Sequence, residues 1–150
     1  MVDGDIDCYA QWNQLFRRYI TIELNANNGD DGDFRTKRTL EGNTIGRFYE
    51  PSLVGHSIIG WFTDPVDGEQ VHEGTVVSDD STFYAHWKPN EYSIIWSPQN
   101  GNPTEVKSVP YGQPAINYCP ESLERTGYTF AGWFNDPVSG EQLTDADVVT

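Results

Sequence analysis

The sequence predicts an α+β fold, mostly β, built as two tandem copies of one small module. Three observations predict it. Gly60–Gln70 recurs as Gly132–Gln142 with nine identities in eleven positions, at an offset of 72 residues. A second element, Phe83-Tyr84-Ala85-His86-Trp87, matches Cys8-Tyr9-Ala10-Gln11-Trp12 at an offset of 75. Alternating β-branched and aromatic segments open each copy, a pattern that suits half-buried strands. Repetition at this period makes each copy a separate supersecondary unit rather than half of one core.

Within each copy the elements follow in order. Tyr19–Leu24 and Tyr92–Trp96 are first strands, each followed by an Asn/Gly/Asp turn, at Asn27–Gly32 and Gln99–Pro103. Phe34–Leu40 and Thr104–Val109 return as second strands, and their charged residues mark one solvated face. Pro51–Val54 and Pro120–Arg125 are the stretches with helical character, since Pro is tolerated in a first helical turn. One short helix per copy is expected there. His56–Phe62 and Tyr128–Phe134 form the next strand, closed by an Asp-Pro-Val-x-Gly turn, and Phe83–Trp87 is the last. The resulting division is residues 1–12 as an N-terminal strand, 13–18 as a linker, 19–87 as the first module, 88–91 as a linker and 92–150 as the second module.

Composition narrows the function. Nine Lys and Arg stand against 23 Asp and Glu, a formal charge of −14, which repels phosphate backbones and anionic lipid alike. Nucleic acid is therefore not an expected partner. Aromatics make up 13% of the chain, enough large apolar groups to give even a ~70-residue module a core. No apolar run approaches the ~18 residues of a membrane span, so membrane insertion is not expected. The first residues carry neither the basic nor the apolar stretch of a signal peptide, so an export signal is expected to lie outside this chain or to have been removed.

Catalytic chemistry finds no foothold in the pattern. His56, His72 and His86 share no ligand spacing, no Gly-x-Ser-x-Gly elbow is present, and no cysteine has an evident base. The chain is not expected to be an enzyme or to hold a cofactor or metal. Asp3–Asp7 and Asn25–Asp33 collect oxygen ligands but lack the EF-hand spacing, so solvated acidic loops are the expectation, with weak calcium binding as the alternative. Trp61 with Trp133, and Trp12 with Trp87, hold equivalent repeat positions, which favours core packing over a sugar-stacking platform. Cys8 and Cys119 lie 111 positions apart with no Cys-x-x-Cys motif, leaving two free thiols or one disulfide.

Gly127–Phe134 and Phe83–Trp87, with the Tyr-rich first strand and Asn-Gly turn, resemble the Listeria–Bacteroides repeat, also called the internalin B-repeat, over nearly the whole chain. The resemblance implies a β-grasp, ubiquitin-like module, a mixed sheet packed on one helix, found in tandem on secreted and surface-anchored proteins. An extracellular or cell-surface location follows from it. No catalytic activity is implied. The first copy departs locally, with Gly55-His56-Ser57-Ile58-Ile59 in place of Gly127-Tyr128-Thr129-Phe130-Ala131.

The phase of the repeat carries the functional expectation. Val148-Val149-Thr150 is equivalent to Val76-Val77-Ser78, and Met1–Trp12 aligns without gaps on Val76–Trp87. In the β-grasp that the resemblance implies, the last strand lies beside the first, so the second module would be open at its centre. Completion by the N-terminal strand of another copy is the leading expectation, with Ile6, Cys8, Tyr9, Ala10 and Trp12 as interface residues. Closure by the chain's own N-terminus is disfavoured, because residues 13–18 reach at most ~20 Å. Donation between copies is head-to-tail and builds open homopolymers, which makes the chain a structural subunit of a surface filament. Cys8 and Cys119 would then meet within one composite module, as a disulfide between subunits. The alternative is a spacer or adhesion pair within a long tandem-repeat protein, binding a host protein or surface carbohydrate through its loops.

Overall fold

The computed structural model describes residues 9–12, 16–121 and 123–150. Among these residues seven strands form two sheets: β1 (Tyr19–Asn25), β2 (Phe34–Leu40), β3 (His56–Phe62), β4 (Gln70–Val71), β5 (Ser81–Pro89), β6 (Glu91–Trp96) and β7 (Glu105–Pro110). The fold is mostly β, as the alternating segments predict.

In the first module the strand order is β2-β1-β5-β3-β4. β5 lies at the centre, parallel to β1 and antiparallel to β3. Period-two patterning decides which face is buried: Ile20, Ile22 and Leu24 of β1 point into the core, as do Phe83 and Ala85 of β5. Trp61 from β3 completes this layer, with Phe48 stacked on it at 5.3 Å and Tyr49 tilted against it at 5.4 Å. Trp87 is half-buried and donates its indole N–H to the Ala26 carbonyl at 2.8 Å, tying the end of β5 to the end of β1. β2 spreads its cations over both faces rather than marking the one solvated face expected from its charges: Arg35 and the half-buried Lys37 lie over the Tyr49 and Phe48 rings, and Arg38 lies over Tyr19.

Two expectations fail. The one helical element among the described residues is a 3₁₀ turn at Ala115–Tyr118, ahead of the expected Pro120–Arg125 helix, while residues 51–54 are non-helical and lead into a turn over 53–56 closed by the His56 N–H on the Leu53 carbonyl. The four residues Pro51–Val54 are too few to offset the cost of nucleating an α-helix. Tyr128–Phe134, expected as a strand, makes only the isolated bridge Phe134–Gln142. The reason lies in the first module, where β3 takes six ladder pairs from β5 and only two from β4. No described residues flank Tyr128–Phe134 on the side where β5 flanks β3.

Of residues 88–91, expected as a linker, only Asn90 lies outside a strand. Its N–H donates to the Gly55 carbonyl, its carbonyl accepts from the Tyr111 N–H, and its side-chain oxygen accepts from the Ser57 hydroxyl. Gly55, at φ +70°, packs its Cα against the Tyr111 ring, and His56 meets the same ring edge-on at 5.6 Å. The joint between modules is thus a pinned residue flanked by an aromatic contact.

Gly55 and Gly46 share the same left-handed φ, but a Cβ on Gly46 meets open space whereas one on Gly55 overlaps the Tyr111 ring. Gly46→Ala should therefore cost only the left-handed backbone penalty, ~1 kcal/mol. Gly55→Ala should lower the melting temperature further and weaken NMR contacts between His56 and Tyr111. Equal shifts from both variants would mean that the joint carries no packing load.

Candidate functional site

The site is a cleft of about 790 Å³ in the second module, between β6 and the segment Tyr128–Phe134. Its walls repeat those that enclose β5 in the first module. At the offset of 72, Ile94 and Trp96 stand for Ile22 and Leu24, and Trp133 stands for Trp61. Backbone geometry follows the same equivalence. Asn27 and Gln99 both take positive φ, at 50° and 53°, and Gly60 and Gly132 take 152° and 133°.

Local hydrogen bonds keep the walls in place without a central strand. Asp136 Oδ1 accepts from the Val138 and Ser139 N–H groups, as Asp64 Oδ1 does from Val66 and Asp67. These bonds hold both carboxyls below their ordinary range, led by Ser139 for Asp136 and by Val66 for Asp64. Gln142 Nε2 reaches the Ala131 carbonyl at 3.5 Å, as Gln70 Nε2 reaches that of Ile59 at 3.4 Å. Asn100 Nδ2 donates to the Glu124 carbonyl across the cleft mouth, as Asn28 Nδ2 does to that of Ser52.

The floor is apolar. Trp96 and Trp133 meet edge-to-face at 4.8 Å, with Ala115 buried beside them and Phe130 edge-on to Trp133 at 5.8 Å. In the first module the corresponding layer is closed by Phe83 and Ala85, 5% and 0% exposed. In the second, Tyr92 is 38% exposed, where its counterpart Ile20 is 1% exposed. Trp96 is 2% exposed, and its indole N–H has no hydrogen-bond partner among the described residues. A buried donor of this kind is uncommon, because it forfeits water without gaining an acceptor.

Of the residues singled out in the sequence, Ile6 and Cys8 lie outside the described residues. Tyr9, Ala10 and Trp12 are exposed, Trp12 to 91%, and none of them lines the cleft of its own chain. Cys119 is a half-buried thiol packed against the Trp96, Ala115 and Trp133 cluster. The histidines stay apart: His86 stacks on Phe62 at 3.9 Å with Nε2 on the Asp64 carbonyl, and His56 Nδ1 lies on that of Val54. The Asn25–Asp33 loop spends its oxygens on its own N–H groups at Asn27, Asp30 and Gly32. Tyr49 donates to Asp33, and burial, then that carboxylate, pushes its phenol up to about 12. Trp96 escaped the sequence reading because it replaces Leu24, not another Trp. Aligning the copies at 72 rather than comparing tryptophans alone reveals it.

No helix among the described residues is long and apolar enough to cross a membrane. Two proteins of Evansella cellulosilytica are similar to this chain. One, provisionally named a membrane protein, is 28% identical over 99% of the chain, and the other, provisionally named a Gly-rich membrane protein, is 27% identical over 94%. The chain spans 22% and 15% of their respective lengths. The profile of the Listeria-Bacteroides repeat domain matches twice, over residues 21–86 and 92–150. Those two matches fall on the two modules and leave out residues 1–20 and 87–91, so the chain belongs to the Listeria-Bacteroides repeat family as a tandem pair.

Proposed function

We propose that the chain is a structural subunit of an extracellular surface assembly, in which the second module is completed by the Cys8–Trp12 strand of another copy. The observation that carries this reading is the cleft, whose walls match those around β5 residue by residue. Strand order β2-β1-β5-β3-β4 with a parallel central pair also supports the β-grasp reading, although no α-helix packs on the sheet among the described residues.

Seated in the register of β5, Tyr9 stands opposite Phe134 as Tyr84 does opposite Phe62, and Ala10 stands opposite Trp133 as Ala85 does opposite Trp61. Trp12 takes the place of Trp87, with the Pro98 carbonyl in the position of the Ala26 carbonyl that Trp87 bonds. Backbone pairing supplies affinity and alternate side chains supply fit, as in other strand additions. The donor segment and the cleft are different parts of each copy, so the contact is heterologous and propagates. Cys8 falls on the core face, in the place of Phe83, and Cys119 packs on that same face. Two thiols so placed can yield two electrons and two protons to an extracellular disulfide oxidant, locking the strand.

A second reading is favoured by the relatives' length. A repeat pair within a much longer surface protein would act as a spacer or adhesion segment, with the cleft filled by covalently continuous chain.

Sedimentation of the intact chain should give a concentration-dependent ladder, and deletion of residues 1–11 should reduce it to monomer while the first module stays cooperative. A monodisperse intact monomer whose second module shows full NMR dispersion would sink strand donation. Trp12→Ala should weaken association by ~2–4 kcal/mol, since a large aromatic filling a preformed pocket is a typical hot spot. Trp87→Ala should instead lower folding stability by ~3–5 kcal/mol; equal effects of the two on assembly would contradict this division. On non-reducing gels, oxidised assemblies should run as covalent multimers that collapse on reduction, and free thiols in assembled material would exclude the Cys8–Cys119 bond.

A further inference from the structure

We propose that Trp96 makes the cleft selective for a strand with a small residue opposite it, so that the Cys8 strand seats and a strand of the Phe83 type does not. The inference rests on the strand-addition reading above and adds the residue that sets its specificity.

In the first module Leu24 pairs with Phe83 across the parallel ladder, and both side chains are buried in one core layer. The second module has Trp96 where the first has Leu24, and the N-terminal strand has Cys8 where β5 has Phe83. One change enlarges the wall and the other shrinks the strand. The two offset each other at a single contact. Pairing Trp96 with a phenyl ring would place two large groups where one large and one medium group now fill the space, and overpacking of this kind is destabilising in close-packed interiors.

Selectivity of this sort has a purpose in a repeat protein. Every copy carries β5, whose Tyr-Ala-x-Trp pattern matches that of the N-terminal strand, so β5 is a competitor for any open cleft. Rejecting Phe83 by steric conflict keeps β5 in its own sheet and leaves the cleft to the N-terminal strand. Discrimination then comes from a clash against the wrong strand as well as contact with the right one.

The test uses fluorescein-labelled peptides spanning residues 2–12, kept reduced, with Cys, Ala, Val or Phe at position 8, and a peptide spanning residues 77–87. Each is titrated with the dilute intact chain by fluorescence anisotropy. The Cys, Ala and Val peptides should bind within a few-fold of one another, and the C8F and 77–87 peptides roughly 10-fold or more weakly. W96L should restore C8F binding; if that variant fails to fold by circular dichroism, W96F takes its place with partial restoration. Equal binding of the Cys8 and C8F peptides overturns the selectivity while leaving strand addition intact. Weak C8F binding that the Trp96 variants do not relieve overturns the assignment to Trp96. Absence of binding by every peptide overturns both this inference and the reading on which it rests.

Discussion

The structure depends on one position in the sheet, the space between the first strand of a module and the segment carrying its Gly-Trp-Phe motif. In the first module β5 fills that space, pairing with β1 on one side and β3 on the other. From there it supplies Phe83 and Ala85 to the core and the Trp87 bond to Ala26. Phe83 and Ala85 both lie in one buried cluster with Ile20, Ile22, Leu24 and Trp61. A central strand is also the element whose loss exposes two ladders of backbone groups rather than one, each orphaned group costing ~1–3 kcal/mol when buried.

The second module shows what remains when that position holds no described residue. Its hairpin, its Asp-Pro-Val-x-Gly turn and the bridge Pro114–Val148, the counterpart of Thr44–Val76, all persist. The turn is held by local side-chain capping, the hairpin by its own ladder and the bridge by backbone bonds between 112–115 and 147–149, none of which needs a central strand. The ladder along Tyr128–Phe134 does not persist, since it depends on that strand. Bonds outside the central position therefore fix the walls of the cleft, and pairing with a central strand would close it.

Much of this was legible in the sequence. Alternation in Tyr19–Leu24 and the repeat of Gly60–Gln70 located the strands and the two-module plan, because period-two burial and a fixed offset leave a direct trace in residue order. The Phe83–Trp87 match to Cys8–Trp12 pointed to the central strand. The helices were misplaced because Pro51 and Pro120 are compatible with a first helical turn but equally with the extended turns that the chain adopts. The joint at Asn90 was hidden, since its rigidity comes from Gly55, Ser57 and Tyr111, residues distant in sequence. Trp96 was present in the sequence but meaningful only once Leu24 was seen to pair with Phe83.

The pinned residue Asn90 makes β5 and β6 nearly one continuous element, so a pull along the polypeptide passes straight from one module to the next. Within the first module that pull enters at the start of β1 and leaves at the end of β5. These two strands are adjacent and parallel, so their loaded ends lie at opposite ends of the pair along the strand direction. Tension therefore slides one strand along the other and strains all the bonds between them together, instead of peeling them open one by one. Resistance to extension then comes from the simultaneous loading of one ladder, and the pinned joint adds little slack before that ladder bears the force.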